Sequence, residues 1–397
     1  MRTGWVAVIL GLWLVPGFAD EAITARELKQ HVFTLASKEW QGRASMSEGG
    51  MAAAAYIART LAKLGLEPRG EDGPYQDVIN GDGVVIGRNV CFLLPGRDAR
   101  ARAETIVIGA HYDHLGTGEQ GVFRGADDNA SGVAALLELA EHWASPDRRP
   151  ARSVLFLAFD NEEAGLRGSE HWVGHPTVPL RKVVAMLCLD MLGRSMMDRF
   201  PGSVLAFGTE WSKDLGGLLR ETPRPRGVDV WDLGWEFVGP RSDFVHFGLR
   251  GIPFVFFTTG THGAYHTPQD VPEDVDYRSC EGIVRLLADF VERIADAPRP
   301  RFHWERPNGL REAEIAHRIV SSMIEQPLPN VEPWQKDLMN WVHKRTGRML
   351  ARKRVGFLDR AVLVVSTQLL TLTTVEQGRT SPDAEESPEA EESPRRR

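Results

Sequence analysis

The chain has 397 residues, 42% of them hydrophobic and 25% charged, and a formal net charge of −7. That length suffices for one large core with an extension, or for two domains. The acidic balance argues against nucleic acid as the principal partner, because phosphate binding requires a basic field.

The chain opens MRTGWVAVILGLWLVPGFADEA, with Arg2 ahead of an apolar run from Trp5 to Val15 and small residues at Gly17 and Ala19. This pattern reads as a secretory signal peptide over 1–19, which makes the mature chain secreted or periplasmic. The apolar run is short for a membrane span of roughly 20 residues, so no integral membrane contact is expected. Next, 49–70 carries Tyr56, Ile57, Leu61 and Leu64 at helical spacing and stops at Gly65. Strand-like runs follow at 105–110 (TIVIGA), 153–159 (SVLFLAF), 183–189 (VVAMLCL) and 252–259 (IPFVFFTT), with a helical stretch at 133–144. The strand-like runs are apolar on both faces, as strands covered on both sides should be. The alternation predicts an α/β fold over 20–299: a central, mostly parallel, twisted mixed β-sheet sandwiched between helices.

Past residue 300, 310–326 and 334–350 read as amphipathic helices joined by the Pro-rich 327–333. The apolar stretch 357–374 holds Asp359, Arg360 and Gln368, so it reads as a packed helix rather than a span. An α-helical C-terminal extension is therefore expected over 300–376, and a disordered charged tail over 377–397. Lys344, Arg345, Arg348, Arg352, Lys353 and Arg354 form a basic cluster, read either as a docking surface or as a solvated helix face. Cys91, Cys188 and Cys280 match neither a zinc knuckle nor a disulfide framework.

The residues beyond each strand carry the chemistry. His111 and Asp113 follow the first strand, Glu162 and Glu163 the second, Asp190 the third, and Tyr265 and His266 the fourth. Asp128 lies in the glycine-flanked GADDNASG (125–132). Open α/β sheets place ligands beyond the carboxyl ends of their strands. Any one of these acids alone would be read as a helix cap or a solvated loop residue. Two imidazoles and three carboxylates together are a donor set suited to zinc, with cobalt or manganese as substitutes. Three carboxylates and one bridging hydroxide balance two Zn2+ ions, whereas one ion would leave the cluster negative. Of the adjacent glutamates, Glu163 is expected to be a ligand and Glu162 the general base, which requires a turn at EAGLRGS (163–169). The i, i+2 spacing of His111 and Asp113 predicts that the Asp113 carboxylate accepts from the His111 ring.

GAHYDHLG, GADDNASGVAALLELA, NEEAGLRGS, LDMLGR and YHTPQD, in that order, resemble the co-catalytic di-zinc aminopeptidases of metallopeptidase family twenty-eight. LASKEWQGRASMSEGG (35–50) and SDFVHFGLRGIP (242–253) are similar to that family too. The resemblance implies a zinc-exopeptidase fold, with His111 and Asp190 on one zinc, Glu163 and His266 on the other, and Asp128 between them. It implies Glu162 as general base, Tyr265 as oxyanion donor, and peptide or protein N-termini as substrates. The chain departs from many relatives at Asp160-Asn161 and at Phe244 after Ser242-Asp243. Three other readings stay open. One is a carboxypeptidase gripping a terminal carboxylate through Arg194 or Arg241. The second is a glutaminyl cyclase, and the third a peptidase fold kept only for binding.

Overall fold

The computed structural model describes residues 23–327 and 331–379, with 370–379 as backbone only. The expected signal peptide, and the expected tail beyond 379, lie outside the described residues. The strands are β1 (Glu67–Pro68), β2 (Tyr75–Ile79), β3 (Val85–Leu94), β4 (Thr105–His111), β5 (Gly116–Gly118), β6 (Gly121–Phe123), β7 (Ser153–Phe159), β8 (Val183–Leu189), β9 (Ser203–Phe207), β10 (Asp229–Leu233) and β11 (Phe254–Thr258). The helices are α1 (Ala25–Leu35), α2 (Glu48–Lys63), α3 (Gly132–Ala144), α4 (Arg167–Gly174), α5 (Lys213–Glu221), α6 (Phe244–Leu249), α7 (Tyr277–Asp296), α8 (Gly309–Glu325), α9 (Pro333–Ala351) and α10 (Phe357–Arg379).

One mixed sheet runs in the order β1-β3-β7-β4-β8-β11-β9-β10, with β2 paired to β3. Its centre, β7-β4-β8-β11, is parallel. β3 is antiparallel to β7, and β9 is antiparallel to β11. In the central strands side chains alternate between two apolar layers, as the pleat requires. Ile106, Ile108, Val154, Phe156, Val255 and Phe257 join a core with α1, α2, α3 and α7. Val107, Leu155, Leu157, Met186 and Phe256 face the other core, built with α4, α6 and the extension. Ala313, Ile315, Ala316 and Val320 of α8, Met339 and Val342 of α9, and Leu363 of α10 are buried in that second layer.

The extension is helical as expected, but α10 continues to Arg379, past the expected boundary at 376. Among the described residues no helix is long and apolar enough to cross a membrane. Within the basic cluster, Arg345 and Arg352 pair with Asp359 at 2.8 and 3.5 Å. The three cysteines are buried and free.

Candidate metal centre

Parallel pairing puts the carboxyl ends of β7, β4, β8 and β11 on one edge. Register aligns His111 with Phe159, Gly109 with Cys188, and Cys188 with Phe256. His111 ends β4, Asp190 directly follows β8, Glu162 and Glu163 come from the loop after β7 and His266 from the loop after β11, all toward the same crevice, while Asp128 enters from the turn before α3. A cis peptide joins Asp128 to Asn129. His266 and Met191, beside the crevice, hold φ of 56° and 61°, a left-handed backbone that side-chain-bearing residues adopt only when their surroundings impose it.

His111 Nε2 lies 3.3 Å from Asp128 Oδ1 and 3.4 Å from Asp190 Oδ1. His266 Nε2 lies 3.0 Å from Asp128 Oδ2 and 3.2 Å from Glu163 Oε2. The Asp128 carboxylate thus turns one oxygen to each pair. Two ligands of a tetrahedral zinc, each 2.0–2.1 Å from the ion, stand about 3.3 Å apart. The observed spacings are those of ligand edges, and the donors are imidazole nitrogens and carboxylate oxygens. The cluster fits divalent metal. Donor atoms of His111, Asp128 and Asp190 all lie within 4.8 Å of one another, as do those of His111, Glu162 and Glu163.

Asp128 is buried and Glu162 and Glu163 are partly so, and their compensation differs. Burial, with the charges of Asp190, Asp243 and Glu163, drives the Glu162 carboxyl well above the usual range, against the pull of His111. Glu163 pays the same burial and faces Asp128. Hydrogen bonds from His114 and His266 nevertheless hold it down to about 2. Burial lowers His266, but Asp128 and Glu163 override it and raise the imidazole to about 10.

The turn required between the two glutamates is present: the Glu162 carbonyl accepts from Gly165 and Leu166 N–H at 2.9 and 2.8 Å. Asp113 stands beside the His111 ring, but not through strand geometry: β4 ends at His111, so Asp113 is not in a strand and the i, i+2 rule does not apply. His111 Nδ1 faces the Asp113 backbone carbonyl at 3.2 Å, and the carboxylate lies 3.6 Å away. That carboxylate also accepts the backbone N–H groups of Glu162 and Glu163 at 3.1 and 3.3 Å, bracing the glutamate turn. Asp127 turns away from the crevice, accepting from Gly193 N–H and from the Ser131 hydroxyl at 2.6 and 2.9 Å. Tyr265 borders the crevice with its ring stacked on His266, centroids 3.9 Å apart.

Sequence reasoning gave no site role to four neighbours. His114 Nδ1 lies 2.8 Å from Glu163 Oε1. The Ser242 hydroxyl donates to Asp190 Oδ2 at 2.9 Å. Asp270 accepts the N–H of Asp127 and of Asp128, each at 3.0 Å. Arg43, fully buried, donates to the carbonyls of Tyr112 and Gly125 at 2.9 Å each, tying the His111 and Asp128 loops together. Of the two candidate carboxylate grips, Arg194 is bound to Asp198 at 2.8 Å, while Arg241 is exposed.

A covered α/β sheet with an imidazole–carboxylate cluster on its carboxyl edge is an architecture for divalent-metal chemistry. The family model described as Peptidase family M28 matches residues 89–291, and the chain belongs to that family. A vacuolar membrane protease of Clavispora lusitaniae is 26% identical over 216 residues, 52% of this chain and 19% of its own length. An aminopeptidase of Pseudomonas aeruginosa is 31% identical over 207 residues, 48% of this chain and 37% of its own length. The chain thus spans well under half the length of these curated relatives. Among solved structures, LapB from Legionella pneumophila is 22% identical with a TM-score of 0.55, covering 69% of this chain and 73% of its own. BSAP, a zinc aminopeptidase from Bacillus subtilis, is 16% identical with a TM-score of 0.56, covering 72% and 98%. A glutaminyl cyclase from Porphyromonas gingivalis is 18% identical with a TM-score of 0.54, covering 68% and 98%. Aminopeptidases and a cyclase share this fold, so the fold alone does not choose between their reactions.

Proposed function

We propose that this chain is a zinc-dependent exopeptidase that removes the amino-terminal residue of a peptide. The observation that carries the reading is the Asp128 carboxylate, with one oxygen 3.3 Å from His111 and the other 3.0 Å from His266. His111 and Asp190 would hold one ion, Glu163 and His266 the other, and Asp128 both. When bound, the metal supplies Lewis acidity that polarises the scissile carbonyl and acidifies water beside it. Glu162 takes the proton of the attacking water and returns it to the leaving amine. Asp113 fixes the turn that aims Glu162, and His114 orients Glu163. Tyr265 donates to the oxygen that becomes negative during attack. Glu162 and Asp190 hold the substrate's free ammonium group. Export rests on the signal-like pattern of 1–19.

One observation favours a second reading. Arg241 is exposed and lines the cavity that Asp190 also lines, which supports a grip on a terminal carboxylate of the kind a carboxypeptidase requires. Glu162→Gln, assayed on aminoacyl arylamides and on amino-blocked peptides, tests both. Metal content should persist while turnover falls by about 10²–10⁴-fold, the usual share of general acid–base catalysis. The parent should refuse blocked substrates. Retention of activity within tenfold would remove Glu162 from the mechanism, and hydrolysis of blocked peptides from their carboxyl end would select the Arg241 reading.

A further inference from the structure

Residues beyond 300 lie outside the stretch matched to the family, and among the described residues no donor of the metal centre comes from them. They nevertheless wall the cavity beside it. That cavity, about 370 Å³, is lined by Asp190 and Tyr265 of the centre. Phe207 of β9, Phe256 of β11 and Met191 line it too. Ala316, Ile319, Val320 and Met323 of α8 form its α8 wall, with Gln368 of α10 also in the lining.

The wall is fixed by buried charge. Glu312 of α8 is 1% exposed. Arg360 of α10 donates to its two oxygens at 2.7 and 2.8 Å, and to both oxygens of Glu236 at 3.1 and 3.2 Å. Glu312 also accepts the Gly234 N–H at 3.1 Å, and Gln368 donates to the Glu236 carbonyl. Two-pronged guanidinium–carboxylate pairs are strong and directional. They lock α8, α10 and the 234–239 loop, which carries the lining residues Phe237 and Val238, into one frame.

We infer that the C-terminal helical extension is the specificity element of this enzyme: α8 and α10 wall the cavity into a largely apolar pocket for the side chain of the residue whose carbonyl is attacked. The inference rests on the exopeptidase reading above. It names the substrate class as peptides beginning with a large apolar residue such as leucine, methionine or phenylalanine. The α8 wall of Ala316, Ile319, Val320 and Met323 offers no charge or hydrogen-bonding side chain, so a polar guest packed against it loses hydration on that side uncompensated. A small guest leaves the pocket unfilled, and each missing methylene in such a pocket is worth about tenfold or more in kcat/KM.

The test uses the full zinc-loaded chain, Val320→Phe to fill the pocket and Met323→Ala to enlarge it. Metal content and melting temperature check each variant's integrity. Two readouts are taken: kcat/KM on alanyl, leucyl and phenylalanyl arylamides, and calorimetric affinity for alanine and leucine hydroxamates. The parent should favour leucyl over alanyl by tenfold or more in both. Val320→Phe should cut that ratio at least tenfold, and Met323→Ala should move preference several-fold from leucyl toward phenylalanyl. Unchanged ratios in a folded, metal-bearing variant overturn the inference while leaving the aminopeptidase reading in place. A parent that hydrolyses no aminoacyl arylamide, yet prefers leucine hydroxamate until Val320→Phe removes the preference, keeps the pocket and overturns the activity. A parent that neither binds nor hydrolyses these probes overturns both.

Discussion

Arg43 offers a sharp test of how the centre is held. It is fully buried and sits between the loops carrying His111 and Asp128. Its guanidinium donates to four carbonyls: Leu35 at 2.8 Å, Tyr112 at 2.9 Å, Arg124 at 2.7 Å and Gly125 at 2.9 Å. Its charge is balanced at longer range by Asp270, Asp128, Asp113 and Glu163. Arg43→Met keeps much of the volume and takes the donor from the Leu35, Tyr112 and Arg124 carbonyls, while the Gly125 carbonyl still accepts the Ala130 N–H at 3.2 Å. A buried unsatisfied acceptor costs about 1–3 kcal/mol. If water reaches one of the three, the net loss is still about 4 kcal/mol, a large part of a typical 5–15 kcal/mol margin. Arg43→Lys keeps the charge, but three donors on one nitrogen cannot span four separated carbonyls, so about 2–4 kcal/mol should still go. Urea unfolding at fixed zinc concentration, with midpoint and slope compared, measures both. A Lys variant within 1 kcal/mol of the parent would refute the reasoning, because charge alone would then suffice.

Two further outcomes follow from the same geometry. Asp270→Ala frees the N–H groups of Asp127 and Asp128, and zinc affinity should fall about 10–100-fold, the usual effect of losing such a support; an unchanged affinity against a competing chelator would count against it. Glu210 is held at about 8 by burial, its Oε1 accepting the Trp235 N–H at 2.7 Å and its Oε2 unpartnered. The folded state keeps that proton above 4.5, where the unfolded chain releases it, so stability falls as pH rises from 4.5 toward 8 and then levels. The total is at most about 5 kcal/mol. Glu210→Gln should match the parent near pH 4 and exceed it near pH 9, and an equal difference at both would exclude the assignment.

The central strands were legible because runs such as SVLFLAF are apolar on both faces, which only a covered sheet tolerates. The flanking strands were not. β10 reads DVWDL, with acids at the first and fourth positions, and β3 contains Gly87, Arg88 and Asn89. Their pairing is decided by neighbours rather than by local pattern. Four of the expected donors were legible because they lie at or after strand ends in the chain, and Asp128 because it sits in a glycine-flanked turn. Asp113 was legible beside His111, but its hold on the Glu162 and Glu163 N–H groups was not, nor were Asp270 and Arg43, since these contacts run to main-chain atoms far away in sequence and no periodicity marks that. Gly42 belongs to the same hidden layer. Its φ is 75°, and a Cβ there would come within 2.4 Å of the carbonyl oxygens of Gly116 and Phe123, so only glycine lets Arg43 approach its acceptors.

The donors are spread over four strand ends and one turn, from His111 to His266. A cut anywhere between those two positions divides the set, and neither piece carries both pairs. Retained zinc after limited proteolysis is therefore a direct reading of whether the severed halves still grip one another across the sheet.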